Sequence, residues 1–108
     1  MIYLASISSM QTSDENMRES PRLFFVIDGP DGAGKATQTK RLVARLEAEG
    51  VPVKTISFPQ YGKKSAGPVE EYLGGAYGKR GDLVSAQAAS ILFAVDRYDA
   101  SFQIRDWL

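Results

Sequence analysis

The stretch Gly29-Pro30-Asp31-Gly32-Ala33-Gly34-Lys35-Ala36-Thr37 (GPDGAGKAT) decides how the rest of the chain is read. Gly29 and Gly34 enclose four residues and Lys35 follows, the spacing of a loop that wraps phosphate groups. Glycines let successive backbone N–H groups converge on an anion, and a helix start adds partial positive charge. Lys35 would then reach the β- and γ-phosphates of a nucleoside triphosphate, and Thr37 could donate to a phosphate from the first helical turn. Such loops normally carry Ser or Thr directly after the lysine, where a hydroxyl helps to hold Mg²⁺; here Ala36 stands there. Mg²⁺ would then depend on water, phosphate oxygens and a carboxylate, with Asp31 in the loop and Asp28 just before it as the nearest candidates. The alternative is a glycine-rich turn that only caps a helix.

The flanking residues favour the phosphate loop. Leu23 to Ile27 (LFFVI) is a continuous apolar run bounded by Pro21 and by Gly29-Pro30, which predicts a strand buried on both faces, as in a parallel sheet. From Lys35 to Glu49 the pattern is helical, with Thr39, Val43 and Leu46 on one stripe and Leu42 flanking it. Lys40, Arg41 and Arg45 can reach solvent, and Gly50 stands where a left-handed helix terminator belongs. Pro52 to Ser57 (PVKTIS) is a second strand candidate, with Val53 and Ile56 as its apolar residues. Strand, helix and strand in this order make a βαβ unit, so the expected fold is α/β with a parallel sheet.

Beyond it, FPQYGKKSAG reads as a loop, and Pro68 suits the first turn of a short helix ending near Gly74-Gly75. GGAYGKRGD is a second loop. The basic residues Lys63, Lys64, Lys79 and Arg80 read better as a solvated loop face than as a site. SAQAASILFAVDRYDASFQIRDWL contains neither Gly nor Pro and predicts one long helix. At about 100° per residue, Val84, Ile91, Val95 and Phe102 share one face, and Ala89, Phe93, Arg97 and Ala100 share nearly the opposite one. A helix apolar on both sides is expected to be buried on both. Phe93 and Arg97 would then present a stacking plane beside a donor; the alternative is an exposed Arg97 paired with Asp96 or Asp99.

The 108 residues suffice for one small domain, and the apolar fraction of 44% and charged fraction of 24% are ordinary for a globular protein. Lys+Arg and Asp+Glu balance at 13 each, so no net positive field argues for nucleic acid or an anionic membrane as partner. Cysteine and histidine are both absent, which excludes disulfides, Cys nucleophiles, and thiolate or imidazole metal sites. The opening MIYLASISSM lacks a basic region and runs into the polar QTSDENMRESPR, so a frayed extension over residues 1–21 and a cytoplasmic location are expected. Only two strands are legible where a parallel sheet needs several, and the last helix reaches Leu108 without a terminator. Residues 22–108 therefore read as the N-terminal half of a larger, incomplete domain.

Three blocks in order resemble the thymidylate kinase family. DGPDGAGKATQ is similar to its phosphate loop, in which some members also lack Ser or Thr after the lysine; FPQYG (Phe58 to Gly62) is similar to the block after its second strand; LFAVDR (Leu92 to Arg97) is similar to its monophosphate-binding helix. The resemblance implies a P-loop NTPase-type three-layer fold of the nucleoside monophosphate kinase kind. It also implies transfer of the ATP γ-phosphate to dTMP for dTTP synthesis, with ATP and Mg²⁺ as cofactors and a homodimer in the full-length form. The resemblance places ATP on Gly29 to Thr37, gives Lys35 and Asp31 the catalytic roles, and gives Asp31 the metal and the neighbourhood of the acceptor's sugar and 5′-phosphate. Phe58 and Tyr61 would line the dTMP pocket, Phe93 would stack on thymine and Arg97 would donate to its carbonyl edge. Many members carry an arginine in the FP block that contacts the acceptor phosphate, where this chain has Gln60 and Tyr61. The segment DRYDAS (Asp96 to Ser101) also matches a later block of the family, but it continues a helix and is read with LFAVDR. Other functions stay open: a nucleotide-binding fragment without turnover, a P-loop regulatory ATPase or GTPase, and a kinase for another small acceptor.

Overall fold

The computed structural model describes residues 3–7, 22–78 and 83–108, and the chain divides into two compact units. The first comprises Met1–Ser57 with Trp107–Leu108, the second Phe58–Asp106.

In the first unit three strands form one sheet: β1 (Tyr3–Ile7), β2 (Leu23–Ile27) and β3 (Val53–Ser57), in the order β2-β1-β3. β1 is antiparallel to both neighbours, with Ala5 opposite Phe25 on one side and Thr55 on the other. The two strands expected from sequence are present, joined by the helix α1 (Lys35–Ala48). They point the same way, as a βαβ unit requires, but they do not pair with each other. Among the described residues the sheet is antiparallel, and no parallel pairing of β2 with β3 is seen in it: β1 hydrogen-bonds along both of its edges and holds β2 and β3 apart. Tyr3–Ile7 lies within the stretch expected to be a frayed extension, yet it is the central strand here; the rest of residues 1–21 lies outside the described residues.

The burial expected of LFFVI is also corrected. Leu23, Phe24, Phe25 and Val26 are all exposed. The reason lies in the topology: β2 is an edge strand, and α1 packs over β1 and β3 instead. On α1 the expected stripe points inward, with Thr39 buried and Val43 and Leu46 half-buried, while Leu42 is exposed. Glu49 and Gly50 end the helix, and Gly50 adopts the left-handed conformation that makes glycine the suitable residue (φ 77°).

Thr39 has a hydroxyl with no hydrogen-bond partner among the described residues, although the residue is only 5% exposed. A buried hydroxyl left unpaired costs about 1–3 kcal/mol, and an apolar replacement of the same shape removes that cost. Thr39→Val should therefore raise the midpoint of urea unfolding, by an amount corresponding to roughly 1 kcal/mol. A lower midpoint would mean that the hydroxyl is satisfied in solution.

The second unit begins with the loop at Phe58, passes a short 3₁₀ turn (Lys64–Ala66) and α2 (Gly67–Leu73), and ends on α3 (Ala86–Trp107). Pro68 lies in the first turn of α2, where its missing N–H is harmless. Ser85 starts α3: its hydroxyl accepts from the Ala88 N–H at 3.1 Å and its carbonyl from the Ala89 N–H at 2.9 Å. Val69 and Ala66 are fully buried, and α3 contributes Ala89, Asp96 and Ala100 to the interior. Those three recur at seven and four residues, which places them on one helix face. The opposite face, with Ile91, Val95, Tyr98 and Phe102, is exposed. The expectation of a helix buried on both sides is thus corrected, because only one side of α3 meets the rest of its unit. Lys63 and Lys64 are exposed, as expected of a solvated loop; Lys79 and Arg80 lie outside the described residues.

Candidate functional site

The first unit carries the phosphate-loop candidate, between the end of β2 and the start of α1. Gly32 and Gly34 both take positive φ, 77° and 89°, and Gly34 is the residue at which the chain enters the helix. A Cβ at either position would meet nothing within 4 Å, so these sites require glycine for backbone conformation rather than for space. The turn is closed by Ala33 N–H donating to the Pro30 carbonyl at 3.2 Å. The N-terminus of α1 has no side-chain cap and no acidic residue in its first turn. Its leading N–H groups therefore carry no competing carboxylate, which suits an anion.

Lys35 folds back over this loop. Its ammonium donates to the Gly29 carbonyl at 2.5 Å and to the Pro30 carbonyl at 2.7 Å. The charge thus lies over the loop rather than in solvent, where a phosphate oxygen could replace either carbonyl. Asp28 accepts the Gly29 N–H at 2.8 Å and so braces the start of the loop, whereas Asp31 is exposed. Pro30, Ala33, Ala36 and Thr37 complete the expected nucleotide-contacting set on this one loop and first helical turn, Thr37 being exposed. No group of three or more acidic, His or Cys residues that could hold a metal exists among the described residues. A Mg²⁺ ion would take at most one or two carboxylates here, which fits an ion that keeps its waters and arrives with phosphates.

The second unit carries the remaining expected residues. Phe58 is 4% exposed and belongs to the interior, and its bond to Pro59 is cis; Tyr61, three residues on, is 61% exposed. Phe93 is half-buried on α3 with its ring edge-on to Tyr72, at 6.3 Å between centroids and 83° between planes. Arg97 is exposed, so the buried-arginine expectation is corrected. Its alternative partners are engaged elsewhere: Asp96 by Gln60 and Ser65, and Asp99 by Ser65 and Lys63. Arg97 therefore presents its guanidinium outward from the same helix that carries Phe93.

Sequence reasoning missed the polar centre of this unit. Asp96 is 1% exposed and accepts from the Gln60 backbone N–H, the Gln60 side-chain amide and the Ser65 hydroxyl at 2.8, 2.8 and 3.1 Å. The available signal was its register: an acid seven residues after Ala89 and four before Ala100 falls in the middle of an apolar helix face.

No helix among the described residues is long and apolar enough to cross a membrane. Comparison with known proteins gives the family directly. The sequence model of thymidylate kinase matches residues 27–106. The chain is 37% identical over 84 residues to a thymidylate kinase of Mycobacterium tuberculosis (strain CDC 1551 / Oshkosh), covering 77% of this chain and 38% of that protein. It is 38% identical over 76 residues to one from Bradyrhizobium sp. (strain BTAi1 / ATCC BAA-1182), covering 70% and 32% respectively. It is 31% identical over 85 residues to one from Plasmodium falciparum (isolate 3D7), covering 79% and 38%. No solved structure matches it. The chain thus spans less than two fifths of the length of these relatives. The match takes in the glycine loop, the FPQYG block and α3 together, and the chain belongs to the thymidylate kinase family, whose fold is of the P-loop NTPase type.

Proposed function

We propose that this protein is a nucleoside monophosphate kinase that transfers the γ-phosphoryl group of ATP to dTMP, giving ADP and dTDP for dTTP synthesis. The observation that carries the proposal is the loop of the first unit, which brings left-handed glycines, an uncapped helix start and the Lys35 ammonium together on consecutive residues. The family's thymidylate kinases name the acceptor.

Transfer of this kind needs no covalent enzyme intermediate: a phosphate oxygen of dTMP attacks the γ-phosphorus in line and ADP leaves. Catalysis is then positioning and charge neutralisation. Lys35 would exchange its two carbonyl partners for β- and γ-phosphate oxygens, and the N–H groups of Gly32 and of Gly34 to Thr37 would take the remaining phosphate oxygens. Asp31 would orient the acceptor and hold Mg²⁺ through water. When bound, Mg²⁺ supplies further neutralisation of phosphate charge. In the second unit, Phe93 would offer its face to thymine, Arg97 would donate to the base's carbonyl edge, and Phe58 and Tyr61 would bound the pocket. The three-layer parallel sheet of this fold class is part of the same proposal, supported by the common direction of β2 and β3. So is a cytoplasmic location, where these nucleotides are used. Incubation with ATP, Mg²⁺ and either dTMP, dUMP or AMP tests the reading; ADP formation should be strongest with dTMP, and equal rates with all three would refute the acceptor.

A second reading, nucleotide binding without turnover, is favoured by one specific observation. The loop has Gly32 and Ala33 where one type within the family places a catalytic arginine. Binding of ATP with no ADP formation would select it.

Ala36→Ser restores a hydroxyl next to Lys35 at an exposed position. It should leave stability within about 0.5 kcal/mol and tighten Mg²⁺-ATP in a calorimetric titration, with little effect on metal-free ATP. A homodimer is proposed for the full-length form, supported by the exposed apolar face of α3. Phe102→Glu should then shift sedimentation toward the monomer, and an unchanged profile would place the contact elsewhere.

A further inference from the structure

Tyr61 is held in a particular way. The N–H of Gln60, just before it, donates to Asp96 Oδ2 at 2.8 Å, and the N–H of Gly62, just after it, donates to Glu70 Oε1 at 2.7 Å. The two carboxylates come from different helices, α3 and α2. Between these fastened amides the Tyr61 ring projects into solvent. The Gly62 N–H is exposed and a plain connection would leave it to water, whereas the Gln60 N–H is buried and needs a partner from the fold. A carboxylate on each side fixes the backbone that carries the ring.

Asp96 is the more demanding of the two. Among the described residues no Lys or Arg nitrogen lies within salt-bridge distance of it, so its charge is balanced by hydrogen bonds alone. Besides the Gln60 N–H it receives the Gln60 side-chain amide at Oδ1 and the Ser65 hydroxyl; the same amide also donates to the Asp96 carbonyl at 3.1 Å. Both hydrogens of that amide are thereby used on one residue. Gln60 stands in the block where many family members carry an arginine that contacts the acceptor phosphate, but here it has no free donor to offer a ligand. It faces inward, onto the helix that also bears Phe93 and Arg97.

We propose that Asp96, with Glu70, is a positioning residue of the acceptor site: the two carboxylates clamp the backbone on either side of Tyr61 and so set its ring for the incoming nucleotide, while Gln60 serves the clamp rather than the phosphate. This rests on the acceptor assignment above, and it goes further in saying that the specificity of the pocket depends on two acids that never touch the ligand. The clamp explains why an acid is tolerated in the interior of so small a unit. An apolar residue at position 96 would pack at least as well but would leave the Gln60 N–H without its acceptor.

The test uses the full chain with Asp96→Asn and Glu70→Gln, read by amide hydrogen exchange and by separate titrations of dTMP and ATP. In the unsubstituted chain the Gln60 and Gly62 amides should exchange slowly. Asp96→Asn removes a charged acceptor and introduces an NH₂ group facing existing donors; it should release the Gln60 amide and weaken dTMP roughly tenfold, about the worth of one charged hydrogen bond, with ATP unchanged. Glu70→Gln keeps an acceptor oxygen at a half-buried position, so it should fold in every case. It should speed exchange at Gly62 and weaken dTMP by roughly threefold, in keeping with a neutral bond replacing a charged one. Fast exchange of Gln60 and Gly62 before any substitution would overturn the clamp. So would released amides with unchanged dTMP affinity, or equal losses for dTMP and ATP. Failure of the acceptor assignment itself is seen separately, as absence of dTMP binding by the unsubstituted chain while the two amides remain protected.

Discussion

Lys35→Ala should remove measurable ATP binding. The ammonium is held over the glycine loop by the Gly29 and Pro30 carbonyls, and the first turn of α1 contains no other cationic side chain until Lys40, which is exposed. Each hydrogen bond from a charged donor is worth about 1.5–3 kcal/mol. Losing contacts to both β- and γ-phosphates therefore corresponds to a fall in affinity of roughly a hundredfold or more. The substitution also removes the two contacts that draw the lysine over the loop, so a looser loop is a competing cause. Lys35→Met separates them, because it keeps most of the side-chain volume and none of the charge. Both variants should lose ATP to a similar extent while the circular dichroism of α1 persists. Full affinity in either would contradict the phosphate-loop assignment.

The second large effect concerns Phe93. Stacking of a base on an aromatic ring is worth about 1–3 kcal/mol by alanine substitution, so Phe93→Ala should weaken dTMP roughly tenfold or more and leave ATP nearly unchanged. The ring is half-buried and edge-on to Tyr72, so part of any loss could be structural. Phe93→Leu keeps most of the packing volume and removes the π-face; it should lose nearly as much dTMP affinity while costing less stability. Arg97→Ala should weaken dTMP without destabilising the unit, because Arg97 is exposed and takes part in no ion pair among the described residues. Arg97→Lys should not restore full affinity, since a flexible point charge does not reproduce the guanidinium fork. Equal losses of dTMP and ATP across these variants would make the residues structural.

The local elements were legible because each depends on neighbours in sequence. LFFVI gave a strand with the expected ends, Lys35 opened a helix, and the Gly- and Pro-free run gave α3, since apolar period, glycines and caps act within a few residues. The loop was legible for the same reason: its positive-φ glycines and its lysine are consecutive. The pairing of strands was not, because an antiparallel strand from Tyr3–Ile7 competes for both edges, and no local pattern states which strands become neighbours. Burial failed with it. An apolar run can be buried only by what packs on it, and β2 is an edge strand with α1 placed over its neighbours. Arg97 was misjudged because periodicity gives the face of a helix but not its cover. The Asp96 clamp joins residues 36 positions apart, and nothing in the local sequence links Gln60 to it.

The central claim is that the chain holds two separate recognition elements, a phosphate loop at Gly29 to Thr37 and an acceptor element at Tyr61, Phe93 and Arg97. Amide chemical-shift mapping with each ligand alone tests it most directly. ATP should displace the resonances of Gly32, Gly34, Lys35 and Thr37 and leave the second unit's residues unmoved. dTMP should displace Tyr61, Gly62, Phe93 and Arg97, and within the glycine loop no residue but Asp31, with AMP producing no comparable pattern there. Displacement of the same residues by both ligands, or of the acceptor residues by neither, would contradict the account.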